Sequence, residues 1–180
     1  MMHNDMKKGI TIWLTGYSGS GKTTIANSLK KILDGYEIAN EILDGDQVRL
    51  ELCKDLSFSK EDRIENIQRI AFVAKLLTKH GVVVIVSAIS PYKEARELAR
   101  KKIEDFMEVF INCPLETCEK RDVKGFYKKA RNGEIINFTG LSAPYEAPTS
   151  PDVTCNTETE SIEESVDKIF QHLIHGNKRL

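Results

Sequence analysis

The densest chemistry in the chain lies in Gly16-Tyr17-Ser18-Gly19-Ser20-Gly21-Lys22-Thr23, which spell G-x-x-x-x-G-K-T. Glycines at these positions permit positive φ angles and close approach, so successive backbone N–H groups can turn toward phosphate oxygens. A lysine after the last glycine reaches the β- and γ-phosphates, and the adjoining threonine hydroxyl suits Mg²⁺. An apolar run, Ile10 to Leu14, precedes the motif, and a helix-compatible segment, Thr24 to Leu33, follows it. Strand, glycine turn and helix N-terminus together make a nucleoside triphosphate site, because the helix adds unpaired N–H donors and partial positive charge.

A phosphate loop does not by itself distinguish a kinase from a GTPase or a nucleotide-driven switch. The guanine reader N-K-x-D is missing, since Asn177-Lys178 is followed by Arg179-Leu180. The β-branched run Val82 to Val86 ends in Ser87-Ala88-Ile89-Ser90, without a terminal aspartate. The acidic pair Asp44 and Asp46 instead closes the second strand candidate, Glu37 to Leu43. At the carboxyl edge of a parallel sheet, Asp46 would face the γ-phosphate, placed to hold magnesium through water or take a proton from an attacking hydroxyl.

The elements that must position these residues alternate between strand and helix patterns, which predicts a mainly parallel sheet flanked by helices. Ser59 is the expected N-cap of a helix with Ile64, Ile67, Ala71, Ala74 and Leu77 on one face and Gly81 at its end. Val82 to Val86 reads as a central strand buried on both sides. Tyr92 to Lys102 reads as a charged helix, Glu108 to Asn112 as a strand, Leu115 to Arg121 as a short helix, and Ser161 onward as a terminal helix that frays over Asn177 to Leu180. Between them, Asp122 to Pro151 loses periodicity. Its Lys124, Lys128, Lys129 and Arg131 interleave with Phe126, Tyr127 and Phe138, a composition that favours a mobile basic lid over a linker.

The 180 residues suit one domain over 1–180, with the lid at about 122–151. A net charge of -1 argues against a general nucleic-acid binder, and no apolar run reaches the roughly 18 residues of a membrane span. The polar stretch Met1 to Lys8 lacks a signal-peptide core, and Cys53, Cys113, Cys118 and Cys155 form no C-x-x-C pair. Reduced thiols in a cytoplasmic protein are expected.

Many short blocks along the chain carry a resemblance. They include Ile12-Trp13-Leu14-Thr15-Gly16, Leu43-Asp44-Gly45-Asp46 with Val48-Arg49, Phe58-Ser59 with Glu61-Asp62-Arg63, and Glu65-Asn66-Ile67. Ile89-Ser90-Pro91-Tyr92, Lys124-Gly125, Tyr127-Lys128-Lys129-Ala130-Arg131, Phe138-Thr139-Gly140 and Pro144-Tyr145-Glu146 continue it in order. In these blocks the chain resembles the adenylylsulfate kinases, P-loop kinases that phosphorylate the ribose 3′-hydroxyl of adenosine 5′-phosphosulfate with MgATP. Gln47, Glu51, Cys53, Ala88, Ile136-Asn137 and Leu141-Ser142 depart from the usual family residues.

The resemblance implies a P-loop NTPase fold in which Gly16, Tyr17, Ser18, Gly19, Ser20, Gly21, Lys22, Thr23 and Thr24 bind ATP, with Arg121 over its adenine. It places Asp46, Arg49, Phe58, Arg63, Asn66, Ile89, Ser90, Lys124 and Phe138 around the acceptor, and marks Ser90 as the position of a phosphoserine intermediate. Lys22, Asp46 and Ser90 are thus the candidate catalytic residues, and Thr23 and Asp46 the candidate metal ligands. Phe58 and Phe138 are suited to sandwich adenine, and Arg49 and Arg63 to fork onto phosphate or sulfate oxygens. A homodimer, and functional coupling to ATP sulfurylase in sulfate assimilation, are also implied. Two readings compete with this one: a related kinase for another nucleotide with a sulfate-like or phosphoramidate tail, and a non-catalytic nucleotide-dependent module.

Overall fold

A computed structural model of the protein describes residues 9–176. The expectations for Met1 to Lys8 and for a frayed end at Asn177 to Leu180 fall outside these residues. The chain runs β1 (Ile10–Thr15), α1 (Lys22–Gly35), β2 (Asn40–Asp44), α2 (Gly45–Leu52), α3 (Lys60–Lys79), β3 (Val83–Ser87) and α4 (Lys93–Lys102). It continues through β4 (Phe106–Asn112), α5 (Leu115–Arg121), α6 (Phe126–Arg131), β5 (Val153–Asn156) and α7 (Ile162–Gly176). The five strands form one parallel sheet in the order β2-β3-β1-β4-β5.

Alternation of side chains along β1 and β3 divides the interior into two layers. Ile12, Leu14, Val83 and Ile85 point to one face, where Ile25, Leu29 and Leu33 of α1 meet Ile169 and Leu173 of α7. Trp13, Val84 and Val86 point to the other, against Ile67, Ile70, Ala71 and Ala74 of α3 and Ala95 and Ala99 of α4. Burial on both faces explains the unbroken apolar run in β3. The four cysteines are buried and free. Among the described residues, no helix is long and apolar enough to cross a membrane.

Three elements were not expected from the sequence. α2 starts where Asp44-Gly45-Asp46 reads as a turn, because the Asp44 carboxylate accepts from the N–H groups of Asp46 and Gln47 at 3.0 and 3.2 Å and caps a helix. α6 forms inside the segment that lost periodicity. There Asp122 accepts from the N–H groups of Tyr127 and Lys128, both at 3.0 Å, while Lys128, Lys129 and Arg131 complement the helix's C-terminal end. β5 is four residues long, too short for its pattern to stand out beside Pro151.

Candidate active site

The carboxyl ends of β1, β2 and β3 open onto a cavity of about 610 Å3. From β1 the chain enters the phosphate loop with Gly16 packed so closely that a Cβ there would sit 2.5 Å from the carbonyl oxygen of Ile111. Gly19 takes φ 77°, and a side chain on it would meet the Cys118 carbonyl at 2.9 Å. Both positions therefore require glycine. Lys22, only 8% exposed, donates from Nζ to the carbonyls of Gly16 and Tyr17 at 2.9 and 2.7 Å. Burial lowers its pKa to about 8, against a smaller opposing pull from Cys118, Asp46 and Asp44.

Opposite the loop, α2 and α3 supply a second wall. Arg49 lies 4.2 Å over the ring of Phe58 and donates to the carbonyls of Leu56 and Ser57. Arg63 is 5.6 Å from the same ring and donates from Nε to the Phe58 carbonyl at 3.0 Å. Its other nitrogens reach Thr139 Oγ1, at 2.9 Å, and the Asn137 carbonyl. Asn66, on the same face of α3, is buried, and its Oδ1 meets no donor among the described residues. An unmatched acceptor in a cavity wall is ready for a ligand donor. Lys124, also on the cavity lining, pairs with the Asp46 carboxylate.

The third wall is the strap after β3. Ser90 adopts φ 48° and is 1% exposed, and its Oγ accepts the indole N–H of Trp13 at 2.9 Å. Thr15 Oγ1 donates to the Ile89 carbonyl at 2.7 Å, and Arg96 donates to the Ser90 carbonyl at 2.7 Å. Arg96 also holds Glu108 at 2.9 Å and the Glu146 carbonyl at 2.6 Å, so Pro144-Tyr145-Glu146 backs the strap from behind. No separate signal in the sequence marks Arg96 or Trp13, which act through the strap rather than on the cavity.

Most expected site residues do converge. Ser18, Gly19, Gly21, Lys22, Thr23, Thr24, Asp46, Arg49, Phe58, Arg63, Asn66, Ile89, Ser90, Arg121 and Lys124 all line the cavity. Gly16, Tyr17, Ser20 and Phe138 do not. The Tyr17 ring packs on Tyr145, with centroids 4.7 Å apart, and Ser20 is fully buried beneath the loop. Phe138 is 8% exposed and sits edge-on to Tyr127 at 4.9 Å, in a small core with Cys113 and Cys118. It is held there by a tight turn in which Leu141, Ser142 and Ala143 all donate to its carbonyl. The pair of rings expected to clasp adenine is therefore not assembled in this structure, and Phe126 lines the cavity instead. Arg121 donates to the carbonyls of Thr157 and Gly19 at 2.7 and 3.4 Å, on a rim continued by Glu160 and Ser165.

The donor set suits Mg²⁺. Thr23 Oγ1 points to the Asp44 carboxylate across 3.5 Å, and no group of three or more His, Cys, Asp or Glu surrounds a metal position among the described residues. Magnesium favours this arrangement of one or two protein oxygens completed by phosphates and water.

Comparison with known proteins points to one family. The family model described as adenylylsulphate kinase matches residues 8–156. An adenylyl-sulfate kinase of Microcystis aeruginosa is 59% identical over 169 residues, covering 93% of this chain and 92% of that protein. One from Halothermothrix orenii is 53% identical over 169 residues, covering 93% and 90%. Among solved structures, the Mycobacterium tuberculosis APS kinase in complex with AMPPNP and APS superposes with a TM-score of 0.89 at 46% identity, over 92% of this chain and 98% of that one. A family model spanning most of the chain, relatives above half identity and a shared fold together place this chain in the adenylylsulfate kinase family.

Proposed function

We propose that this protein transfers the γ-phosphoryl group of ATP to the ribose 3′-hydroxyl of adenosine 5′-phosphosulfate, giving 3′-phosphoadenosine 5′-phosphosulfate. The observation that carries this reading is a single cavity with a phosphate loop on one side and Arg49, Phe58, Arg63 and Asn66 on the other. ATP seats its phosphates in the loop, where Lys22 turns from the Gly16 and Tyr17 carbonyls to the transferred group. Thr23, and Asp46 through water, would hold Mg²⁺, which would supply charge neutralisation at the phosphates. Arg121, at the rim of the same loop, covers the adenine of ATP.

On the acceptor side, Phe58 stacks the purine, Asn66 Oδ1 accepts from its amino group, and Arg49 and Arg63 exchange carbonyl partners for sulfate or phosphate oxygens. Asp46 orients the 3′-hydroxyl and accepts its proton. Transfer is direct and in line, because a hydroxyl held beside the γ-phosphate needs no covalent relay. Ser90 then serves as the pin of the strap, and the strap's Ile89 lies against the acceptor. The segment 122–151 acts as the lid. Its Lys124 pairs with Asp46, and its Thr139 accepts from Arg63. Closing it excludes water as a competing acceptor.

Four buried free cysteines suit a reducing, cytoplasmic setting. A homodimer belongs to the same proposal, on family resemblance, and light scattering tests it. The function is tested by a coupled assay with ATP and adenosine 5′-phosphosulfate. Turnover on that acceptor, with Asp46→Asn slower by about 100-fold or more, is the expected result. Silence with this acceptor and brisk phosphorylation of another nucleotide would overturn it.

A further inference from the structure

The phosphate loop is held from outside as well as from within. The successive carbonyls of Ser18, Gly19 and Ser20 each meet a side-chain donor from a distant part of the chain, Tyr127 behind the cavity lining and Arg121 and Thr157 at its rim. The Tyr127 hydroxyl donates to the Ser18 carbonyl at 2.9 Å, Arg121 to the Gly19 carbonyl at 3.4 Å, and the Thr157 hydroxyl to the Ser20 carbonyl at 2.7 Å. Tyr127 belongs to α6 and is 1% exposed, while Thr157 immediately follows β5.

Peptide geometry gives these contacts a consequence. In a planar trans peptide the C=O of one residue and the N–H of the next point in opposite directions. No cis peptide occurs among the described residues. Fixing the Ser18 carbonyl on Tyr127 therefore fixes the Gly19 N–H on the opposite side of that peptide plane, and fixing the Ser20 carbonyl on Thr157 does the same for the Gly21 N–H. Gly19 and Gly21 both line the cavity. Both have positive φ, 77° and 104°, in a residue type that rotates its peptide planes at little cost. A loop of such residues needs external anchors if its N–H groups are to be aligned before the anion arrives.

We propose that Tyr127 and Thr157 are positioning residues of the phosphate loop, whose hydroxyls preset the Gly19 and Gly21 N–H groups for the triphosphate. The inference rests on the proposal that ATP occupies this loop. It also gives α6 a double role, since the helix that carries Phe126 to the cavity wall grips the loop through the next residue.

Isothermal titration of the full chain with AMPPNP and magnesium tests it without requiring any acceptor. Tyr127→Phe and Thr157→Val each remove one hydroxyl while keeping the buried shape. Each is expected to weaken AMPPNP about 3- to 10-fold, the worth of one hydrogen bond. Thr157→Ser keeps the hydroxyl and is expected to stay within about twofold of the wild type. The KM for ATP should rise in parallel, with the acceptor KM unchanged. Phe and Val variants that bind AMPPNP as the wild type does overturn the inference, as does Thr157→Ser binding as weakly as Thr157→Val. A lower melting temperature in Tyr127→Phe with unaltered affinity also overturns it, since the hydroxyl would then serve stability alone. A wild-type protein that binds AMPPNP but ignores adenosine 5′-phosphosulfate counts against the proposed acceptor and leaves the variant comparison decisive for the loop.

Discussion

The indole N–H of Trp13 donates to the hydroxyl of Ser90 at 2.9 Å, in a site where both side chains are almost wholly removed from solvent. A hydroxyl engaged in this way is poorly placed to attack a phosphoryl group. Ser90→Ala is therefore expected to keep kcat within about tenfold of the wild type, while a covalent relay would make the loss a thousandfold or more, on the order seen when a nucleophile is deleted. The substitution leaves the Trp13 N–H unpaired, so the melting temperature should fall by about 2–6 °C, corresponding to about 1–2 kcal/mol. Steady-state kinetics and calorimetry on one variant separate the two roles.

Lys22 gives the reaction a pH dependence with a definite sign. Burial lowers its pKa to about 8, and triphosphate binding favours the ammonium form and raises it again. Free protein loses the charge above about pH 8, so AMPPNP affinity should be flat below that pH and weaken by up to about tenfold per unit above it. Lys22→Met should bind weakly at all pH values and show no such inflection. In the absence of nucleotide, folded Lys22 releases its proton before the unfolded chain does. The unfolded state therefore binds more protons between about pH 8 and 10.5, and this residue's contribution to stability rises with pH over that interval.

Arg96, 2% exposed, ties together Ser90, Glu108 and Glu146. Arg96→Met strips Glu108 of its 2.9 Å partner, leaving Arg100 at 3.8 Å as its remaining ion-pair partner among the described residues, and frees the carbonyls of Ser90 and Glu146. Breaking a buried pair from one side costs about 3 kcal/mol, which is about 6–12 °C in melting temperature for a domain of this size. The acceptor KM should rise as well, because Ile89 loses its backing. Arg96→Lys should recover only part of either effect, since a single ammonium cannot span three acceptors in the plane that the guanidinium fork fills.

How much of this was legible in the sequence depended on how local each signal was. The phosphate loop and its flanking elements are contiguous, and glycine spacing reports backbone geometry directly, so the strand–loop–helix path through Gly16 to Thr23 was legible. The grouping of Arg49, Phe58, Arg63 and Asn66 came from the family resemblance rather than from local pattern, since α2, which carries Arg49, left no sign in the sequence. Contacts made at long range left little trace. Nothing adjacent to Tyr127 or Thr157 indicates that their hydroxyls reach Ser18 and Ser20, and Arg96 reads as one more charge on a charged helix. The N-cap role of Asp44 was hidden by its chemistry: an aspartate before glycine suits a turn, a metal or a cap equally well, and only the N–H groups of Asp46 and Gln47 decide among them.

Phe138 is where composition was least informative, and it yields a sharp comparison. An aromatic residue in a basic, glycine-rich segment can face a ligand or fill a small core, and here Tyr127 and Cys118 provide the core. Phe126 faces the cavity, with Lys124 Nζ 6.0 Å from its ring. Phe126→Leu should therefore raise the acceptor KM by about 5- to 10-fold, the range of a lost stacking contact, with the melting temperature nearly unchanged. Phe138→Leu should do the reverse, lowering the melting temperature by about 3–8 °C through a poorly filled core and leaving the acceptor KM within about twofold. A clasp formed by Phe58 and Phe138 would require the turn at 138–143 to open and Phe138 to leave Tyr127 each time the acceptor binds. In that case Phe138→Leu would raise the acceptor KM more than Phe126→Leu does. Measuring both constants on both variants distinguishes a ring buried for stability from one that is drawn out to grip the purine.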